Sequence, residues 1–159
     1  MEKEKQMTTE VRTIENAEEK RRICRVILEA LPEWFGIPEA REEYIRESAD
    51  KLFFAAMDGE NPVGFLCLKE TGRDTVELYV MGVLKARHRT GAGRALVKAA
   101  KRAAREAGYA FMQVKTVQMG KYEYDATNRF YLAMGFREFE VFPHMWDEWN
   151  PCQVYVMGL

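Results

Sequence analysis

The strongest constraint on the fold comes from residues 75–117, where a strand, a loop, a helix and a second strand are predicted in succession. Thr75 to Val83 is rich in β-branched and aromatic residues, as strands are, and Phe111 to Val117 has the same character. Between them, small residues recur at helical spacing from Ala95 to Ala107, and Gly108 follows as a C-terminal cap. Strands joined through one helix run parallel in the same sheet, with a right-handed crossover. We expect the residues that carry the function to lie in the loop before the helix.

The rest of the chain indicates further strands and helices around this unit. The Asp58-Gly59 pair between two apolar runs is a hairpin signal. Strands are predicted over residues 8–14, 51–57, 62–68, 136–142 and 153–157, and helices from Asn16, from Pro38 and over Ala126 to Met134. The expected fold class is α/β, with a mixed, largely antiparallel central sheet of about seven strands and helices on both faces. We expect one domain over residues 8–159, after a disordered tail at residues 1–7.

Composition excludes several classes of function. The chain has 159 residues, of which 47% are hydrophobic, enough for one core. Its 24 Lys and Arg against 25 Asp and Glu give a net charge of -1, whereas nucleic-acid binding usually needs a basic excess, so no nucleic-acid partner is expected. Apolar stretches such as Leu78 to Leu84 are too short to span a membrane, and the charged N-terminus lacks the apolar region of a signal peptide. We therefore expect no membrane partner and a cytoplasmic location.

Three residue types limit the chemistry further. Cys24, Cys67 and Cys152 form no close pair in the sequence, which argues against a disulfide framework. The two histidines do not have the spacing of a zinc site, so no metal is expected. Ser48 is the only serine, and no nucleophile elbow surrounds it, which argues against a serine hydrolase.

The loop between the strand and the helix, His88 to Arg94, has the composition of an anion site, and we call it the anion loop. Gly91 and Gly93 allow conformations in which successive N–H groups face one point, and the following helix adds its positive N-terminal dipole. The two arginines of the loop can add charge-assisted hydrogen bonds to phosphate oxygens. Leu96 stands where the dinucleotide fingerprint needs a third glycine, and no Gly-Lys-Ser/Thr is present. The alternative is a tight strand-to-helix turn that binds nothing.

Two motifs resemble the GCN5-related N-acetyltransferase (GNAT) superfamily. His88-x-x-Gly91-x-Gly93 is similar to the Arg/Gln-x-x-Gly-x-Gly/Ala signature that follows the family's fourth strand, although His88 departs from the usual Arg or Gln. Phe130 to Phe136 resembles the family's Tyr-x-x-x-Gly-Phe helix end. The order of the predicted elements matches along nearly the whole chain. The resemblance implies the acyl-CoA N-acyltransferase fold, with acetyl-CoA as cosubstrate and direct acetyl transfer to a primary amine, a small molecule or a peptide, in a ternary complex.

The resemblance also implies which residues form the site. Tyr131 matches the family's usual acid, which protonates the departing thiolate, and Glu77 lies close to where some members place a catalytic glutamate, the base. The alternatives are an ordinary core aromatic for Tyr131 and an outward-facing strand carboxylate for Glu77. The residues expected to contact coenzyme A are Met81, Gly82 and Val83 of the fourth strand, His88, Arg89, Thr90, Gly91, Ala92, Gly93 and Arg94 of the anion loop, and Asn128 and Tyr131 of the short helix.

The acceptor side is less defined by the sequence. Trp34 and Phe35, after the first helix, and Trp146 and Glu148, near the C-terminus, combine aromatic faces with a carboxylate, which suits a cationic amine. The alternative is that these residues pack the sheet edges or form a homodimer contact. The resemblance does not choose among amine acceptors. The alternative function is a non-catalytic module that binds acyl-CoA as a sensor or regulator.

Overall fold

Seven strands form one mixed sheet in the computed structural model, which describes residues 9–159. The strands are β1 (Glu10–Ile14), β2 (Leu52–Asp58), β3 (Asn61–Glu70), β4 (Thr75–Val83), β5 (Phe111–Val117), β6 (Arg137–Phe142) and β7 (Cys152–Gly158). Their order is β1-β2-β3-β4-β5-β7-β6, and neighbouring strands are antiparallel except for the parallel pair β4 and β5. The predicted sheet is thus confirmed. The predicted tail at residues 1–7 lies outside the described residues, as does Thr8.

Four helices flank the sheet: α1 (Ala17–Glu29), α2 (Pro38–Glu47), α3 (Ala92–Glu106) and α4 (Tyr122–Ala133). The predicted start of α1 is confirmed, because the Asn16 side chain accepts a 2.9 Å hydrogen bond from the amide of Glu19. The start of α4 differs from the prediction, since this helix begins at Tyr122 and not at Ala126. Asp125 lies in the added turn, where its negative charge complements the helix dipole.

Helices cover both faces of the sheet, as predicted. On one face, Ile23 and Ile27 of α1 pack against Phe53 and Phe65 in a cluster to which α2 also contributes. On the other face, the small-residue stripe of α3 packs with α4 and the adjoining strands. Among residues 9–159, no helix has both the length and the apolar character that crossing a bilayer requires.

The two parallel strands separate toward their C-terminal ends. Their pairing ends at Leu78 and Val114, although the strands continue to Val83 and Val117. A bulge at Tyr79 of β4, where the pairing with β3 shifts register, accompanies the separation. The strands therefore leave an opening, which we call the β4–β5 gap, between residues 79–83 and residues 115–117. The anion loop begins just after the β4 side of this gap.

Candidate active site

The anion loop leads from the segment after β4 into the first turn of α3, which begins at Ala92, earlier than the sequence predicts. Residues 88–91 are exposed, whereas Ala92 is buried. Two of its residues have a left-handed backbone, Arg89 with φ of 63° and Gly91 with φ of 91°. The Nε2 atom of His88 lies 2.7 Å from the last carbonyl oxygen of β4. The Thr90 hydroxyl donates a 2.5 Å hydrogen bond to the carbonyl oxygen of Arg87. These two contacts fix the turn that leads from the strand into the helix.

Four backbone amides of this loop, those of residues 91–94, are free to bind an anion. In the part of the chain that the structure describes, the N–H groups of Gly91, Ala92, Gly93 and Arg94 donate no hydrogen bond, because the first amides of a helix have no preceding carbonyl within reach. They coincide with the positive end of the α3 dipole. The loop's two arginines are exposed beside them. This is the donor set that a phosphate or diphosphate group requires.

Two glycines of the predicted site allow close packing of the elements around it. A Cβ atom on Gly93 would lie 3.2 Å from the ring of Phe130, so the glycine lets α3 approach α4. A Cβ atom on Gly82 would lie 3.0 Å from side-chain atoms of Ile27 and Leu31, so this glycine lets α1 pack on β4. The side chains beside Gly82 pack toward α3. Residues 81–83 therefore offer a ligand mainly their backbone groups.

Tyr131 of α4 is a buried residue of the core, and its hydroxyl has a raised pKa. Its ring packs edge-on against Phe136, with 5.6 Å between the centroids, and the residue is only 6% exposed. Burial, and to a smaller extent the neighbouring Tyr44, raises the pKa of the Tyr131 hydroxyl above its usual value. Like any tyrosine hydroxyl, it is protonated at neutral pH, and its raised pKa extends that state to higher pH.

Glu77 lies on the sheet face that α1 and α2 cover, because its neighbours Val76 and Leu78 pack toward α3. One carboxylate oxygen of Glu77 lies 2.9 Å from Nζ of Lys115 on β5, and only 8% of the Glu77 side chain is exposed. The alternative of a solvated, outward-facing carboxylate is therefore wrong. A carboxylate this deeply buried needs a cationic partner, and Lys115 provides it.

Tyr44 of α2 lies beside the bulge of β4, and no motif in the sequence singles it out. Burial raises the pKa of Tyr44, and the negative charge of Glu77 raises it further. Its ring packs edge-on against Tyr79 at the bulge, with 5.3 Å between the centroids. Tyr44 also contributes, less than burial does, to the raised pKa of Tyr131.

Asn128 forms internal hydrogen bonds, in contrast to the predicted contact with coenzyme A. The residue is 0% exposed. Its Nδ2 atom donates to the carbonyl oxygens of Val117 at 2.9 Å and Tyr124 at 2.8 Å, and its Oδ1 atom accepts from the Tyr155 hydroxyl at 2.6 Å. Both amide hydrogens are therefore engaged within the fold. We correct the predicted cofactor contact to a structural role that joins α4 to β5 and β7.

The loop after α1 carries the first two predicted acceptor residues. The Nε1 atom of Trp34 donates a 2.8 Å hydrogen bond to the carbonyl oxygen of Glu123, at the start of α4. The ring of Trp34 lies edge-on to that of His88, with 6.0 Å between the centroids. Phe35 packs edge-on against Tyr44. The loop thus reaches from the anion loop to α4.

The other two predicted acceptor residues lie on the loop between β6 and β7. Trp146 and Glu148 are exposed in the loop between β6 and β7. The Asp147 carboxylate shapes this loop by accepting hydrogen bonds from the amides of Trp149 at 2.8 Å and Asn150 at 2.7 Å. Within residues 9–159, no aromatic contact joins Trp146 to Trp34.

One cavity lies away from all of these residues. It has a volume of about 310 Å³ and is situated near the C-terminal end of α3. Its walls include Leu68, Val76, Ala104 and Tyr109. The anion loop is at the opposite end of the same helix.

A comparison of the sequence with models of protein families identifies the family of this chain. The model of the acetyltransferase (GNAT) family matches residues 19–136. The chain belongs to the GNAT acetyltransferase family. The matched residues include the anion loop, both predicted catalytic residues and the helix that carries Tyr131.

Solved structures of GNAT proteins share the fold over nearly the full chain. A GNAT-family protein from Desulfovibrio desulfuricans has a TM-score of 0.80 and 20% identity, covering 95% of this chain and 99% of that one. An IAA acetyltransferase from Bacillus cereus has a TM-score of 0.73 and 18% identity, covering 96% and 100%. A Bacillus subtilis acetyltransferase in complex with CoA has a TM-score of 0.71 and 18% identity, covering 96% and 99%. The comparison with curated proteins finds no match. The predicted acyl-CoA N-acyltransferase fold is confirmed.

Proposed function

We propose that this GNAT protein is an N-acetyltransferase that moves the acetyl group of acetyl-CoA directly to a primary amine in a ternary complex. One observation carries the proposal: four unengaged amides, Gly91 to Arg94, lie at the positive end of α3 beside the open β4–β5 gap. A bound diphosphate would place the rest of the donor within reach of the gap. Acetyl-CoA supplies the activated acetyl thioester.

Groups that can bind acetyl-CoA follow one another from the anion loop along β4. The amides of residues 91–94 would hold the diphosphate, with Arg89 and Arg94 adding positive charge. Beyond Leu78, the β4 edge that faces the gap has no strand partner in residues 9–159. Backbone groups of residues 81–83 on that edge are therefore available to hold an extended arm, apart from the Val83 carbonyl oxygen, which lies against Nε2 of His88. This gives a hydrogen-bonding track that leads from the anion loop toward Glu77.

Two side chains would carry the proton transfers. The Tyr131 hydroxyl, which is protonated at neutral pH, would donate its proton to the departing thiolate sulfur. The Glu77 carboxylate, held by Lys115, would accept the proton that the ammonium form of the acceptor must lose, through a water molecule. The two residues lie on different elements, Glu77 on β4 and Tyr131 on α4.

The acceptor would approach from the side of the loop that carries Trp34 and Phe35. Aromatic faces attract a cationic amine, and the ring of Trp34 lies beside His88 of the anion loop, which supports this approach. Trp146 and Glu148 would form the outer part of the entrance, because their loop is exposed. These four residues are the ones to vary when acceptors are compared.

One observation favours the alternative of a non-catalytic acyl-CoA sensor. The ion pair with Lys115 engages the carboxylate that the enzyme needs as its base. A sensor would bind acetyl-CoA through the same amides but transfer nothing.

Thiol release from acetyl-CoA, measured with a panel of amines, separates these functions. The panel contains an aminoglycoside, a polyamine, free amino acids and peptides with a free N-terminus or a lysine. We expect amine-dependent thiol release with at least one class. Saturable binding of coenzyme A without thiol release for any amine would favour the sensor. Absence of binding at millimolar coenzyme A would reject both functions.

A further inference from the structure

One ion pair connects the β2–β3 turn to the residue before the anion loop. The guanidinium of Arg87 contacts the carboxylate of Asp58, the last residue of β2. The Arg87 side chain is only 13% exposed. Its Nη1 atom is buried and has no hydrogen-bond partner among the described residues. Asp58 therefore compensates a guanidinium that is otherwise poorly solvated.

The main chain of Arg87 in turn holds the anion loop. Its carbonyl oxygen accepts two hydrogen bonds from Thr90, one from the amide at 3.3 Å and one from the hydroxyl at 2.5 Å. Its own amide donates a 2.8 Å hydrogen bond to the carbonyl oxygen of Leu84. Arg89, inside this turn, has a φ of 63°, a conformation that a residue other than glycine keeps only when its surroundings enforce it.

We propose that Asp58 is a positioning residue for coenzyme A: through Arg87, it keeps the anion loop in the conformation that presents its free amides to the diphosphate. The inference rests on the coenzyme A binding proposed above. Without the carboxylate, the guanidinium loses its partner and moves toward water, and the carbonyl that anchors Thr90 moves with it. The binding-competent loop is then present in only a fraction of the molecules, and the affinity falls by that fraction.

The test compares Asp58→Asn with a control in the same turn. Glu60→Gln removes a carboxylate whose side chain is 92% exposed and whose partner is Arg12, at 3.6 Å. Coenzyme A binding to the full chain is measured by isothermal titration calorimetry, and the KM for acetyl-CoA and kcat by thiol release. We expect Asp58→Asn to raise Kd and KM by about tenfold, with kcat changed less than about twofold. Glu60→Gln should leave all three values unchanged, and Asp58→Glu should recover most of the affinity.

Other results of this experiment would contradict the proposal or the proposed function. An unchanged Kd in folded Asp58→Asn overturns the proposal, and so does an equal rise in Glu60→Gln. A lower melting temperature and a lower kcat at constant Kd would show a role in stability alone and would also overturn it. If Asp58→Asn does not fold, Arg87→Lys replaces it, because lysine keeps the charge but loses the planar fork, and an unchanged Kd there overturns the proposal. Wild-type protein that does not bind coenzyme A contradicts the proposed function itself.

Discussion

Replacement of Gly91 by alanine tests whether the anion loop must keep its left-handed turn to bind coenzyme A. The residue has φ of 91°, and a Cβ atom added there would meet nothing within 4 Å, so the substitution introduces conformational cost without a clash. That cost is about 1–2 kcal/mol for a residue with a side chain. Because the loop is exposed, we expect it to relax in the free protein and to lose the alignment of its amides. The cost then appears in binding, as a Kd for coenzyme A that is about 5–30 times higher.

Gly108→Ala is the matched control for this prediction. Gly108 has a φ of 92° and equally open space around a Cβ atom, but it lies at the C-terminal end of α3. Its replacement should lower the melting temperature by a few degrees and leave the Kd for coenzyme A unchanged. Calorimetry gives Kd, and thermal unfolding gives stability. Equal Kd values for the wild type and Gly91→Ala, or an equal loss in both variants, would refute the reasoning.

Three further predictions concern the residues around the gap. Tyr131→Phe should slow thiol release by about 100-fold or more at nearly unchanged melting temperature, and a wild-type rate would remove the acid assignment. Because burial raises the pKa of Tyr131, we also expect no loss of rate from deprotonation of this hydroxyl below about pH 10. Glu77→Gln should abolish the acidic limb of the pH–rate profile, and an unchanged limb would exclude Glu77 as the base. Asn128→Leu should lower the free energy of unfolding, measured with urea, by at least about 2 kcal/mol, because it leaves buried polar groups unpaired. Lower coenzyme A affinity at constant stability would instead restore the predicted ligand contact for Asn128.

The parts of the molecule that the sequence predicted correctly depend on local signals. The small-residue stripe and Gly108 define α3, and the glycines of the anion loop define the turn before it. The parallel pair of strands followed from the length of the connection between them. In each case the information lies within a few residues of the element it specifies.

The parts that the sequence did not predict depend on contacts between distant residues. The ion pair of Glu77 with Lys115 requires the register of β4 against β5, and the bulge at Tyr79 requires the pairing of β4 with β3. Asn128 has the residue type of a ligand contact, but the positions of Val117 and Tyr155 decide that its amide is used internally. No local pattern records such positions.

A titration of ¹⁵N-labelled protein with coenzyme A, followed by NMR, tests the central claim most directly. The account predicts saturable binding at one site, with the largest shifts at the amides of Gly91, Ala92, Gly93 and Arg94. Saturation that leaves these amides unshifted, with the largest changes at Ala104 and Tyr109 beside the cavity at the other end of α3, would contradict it.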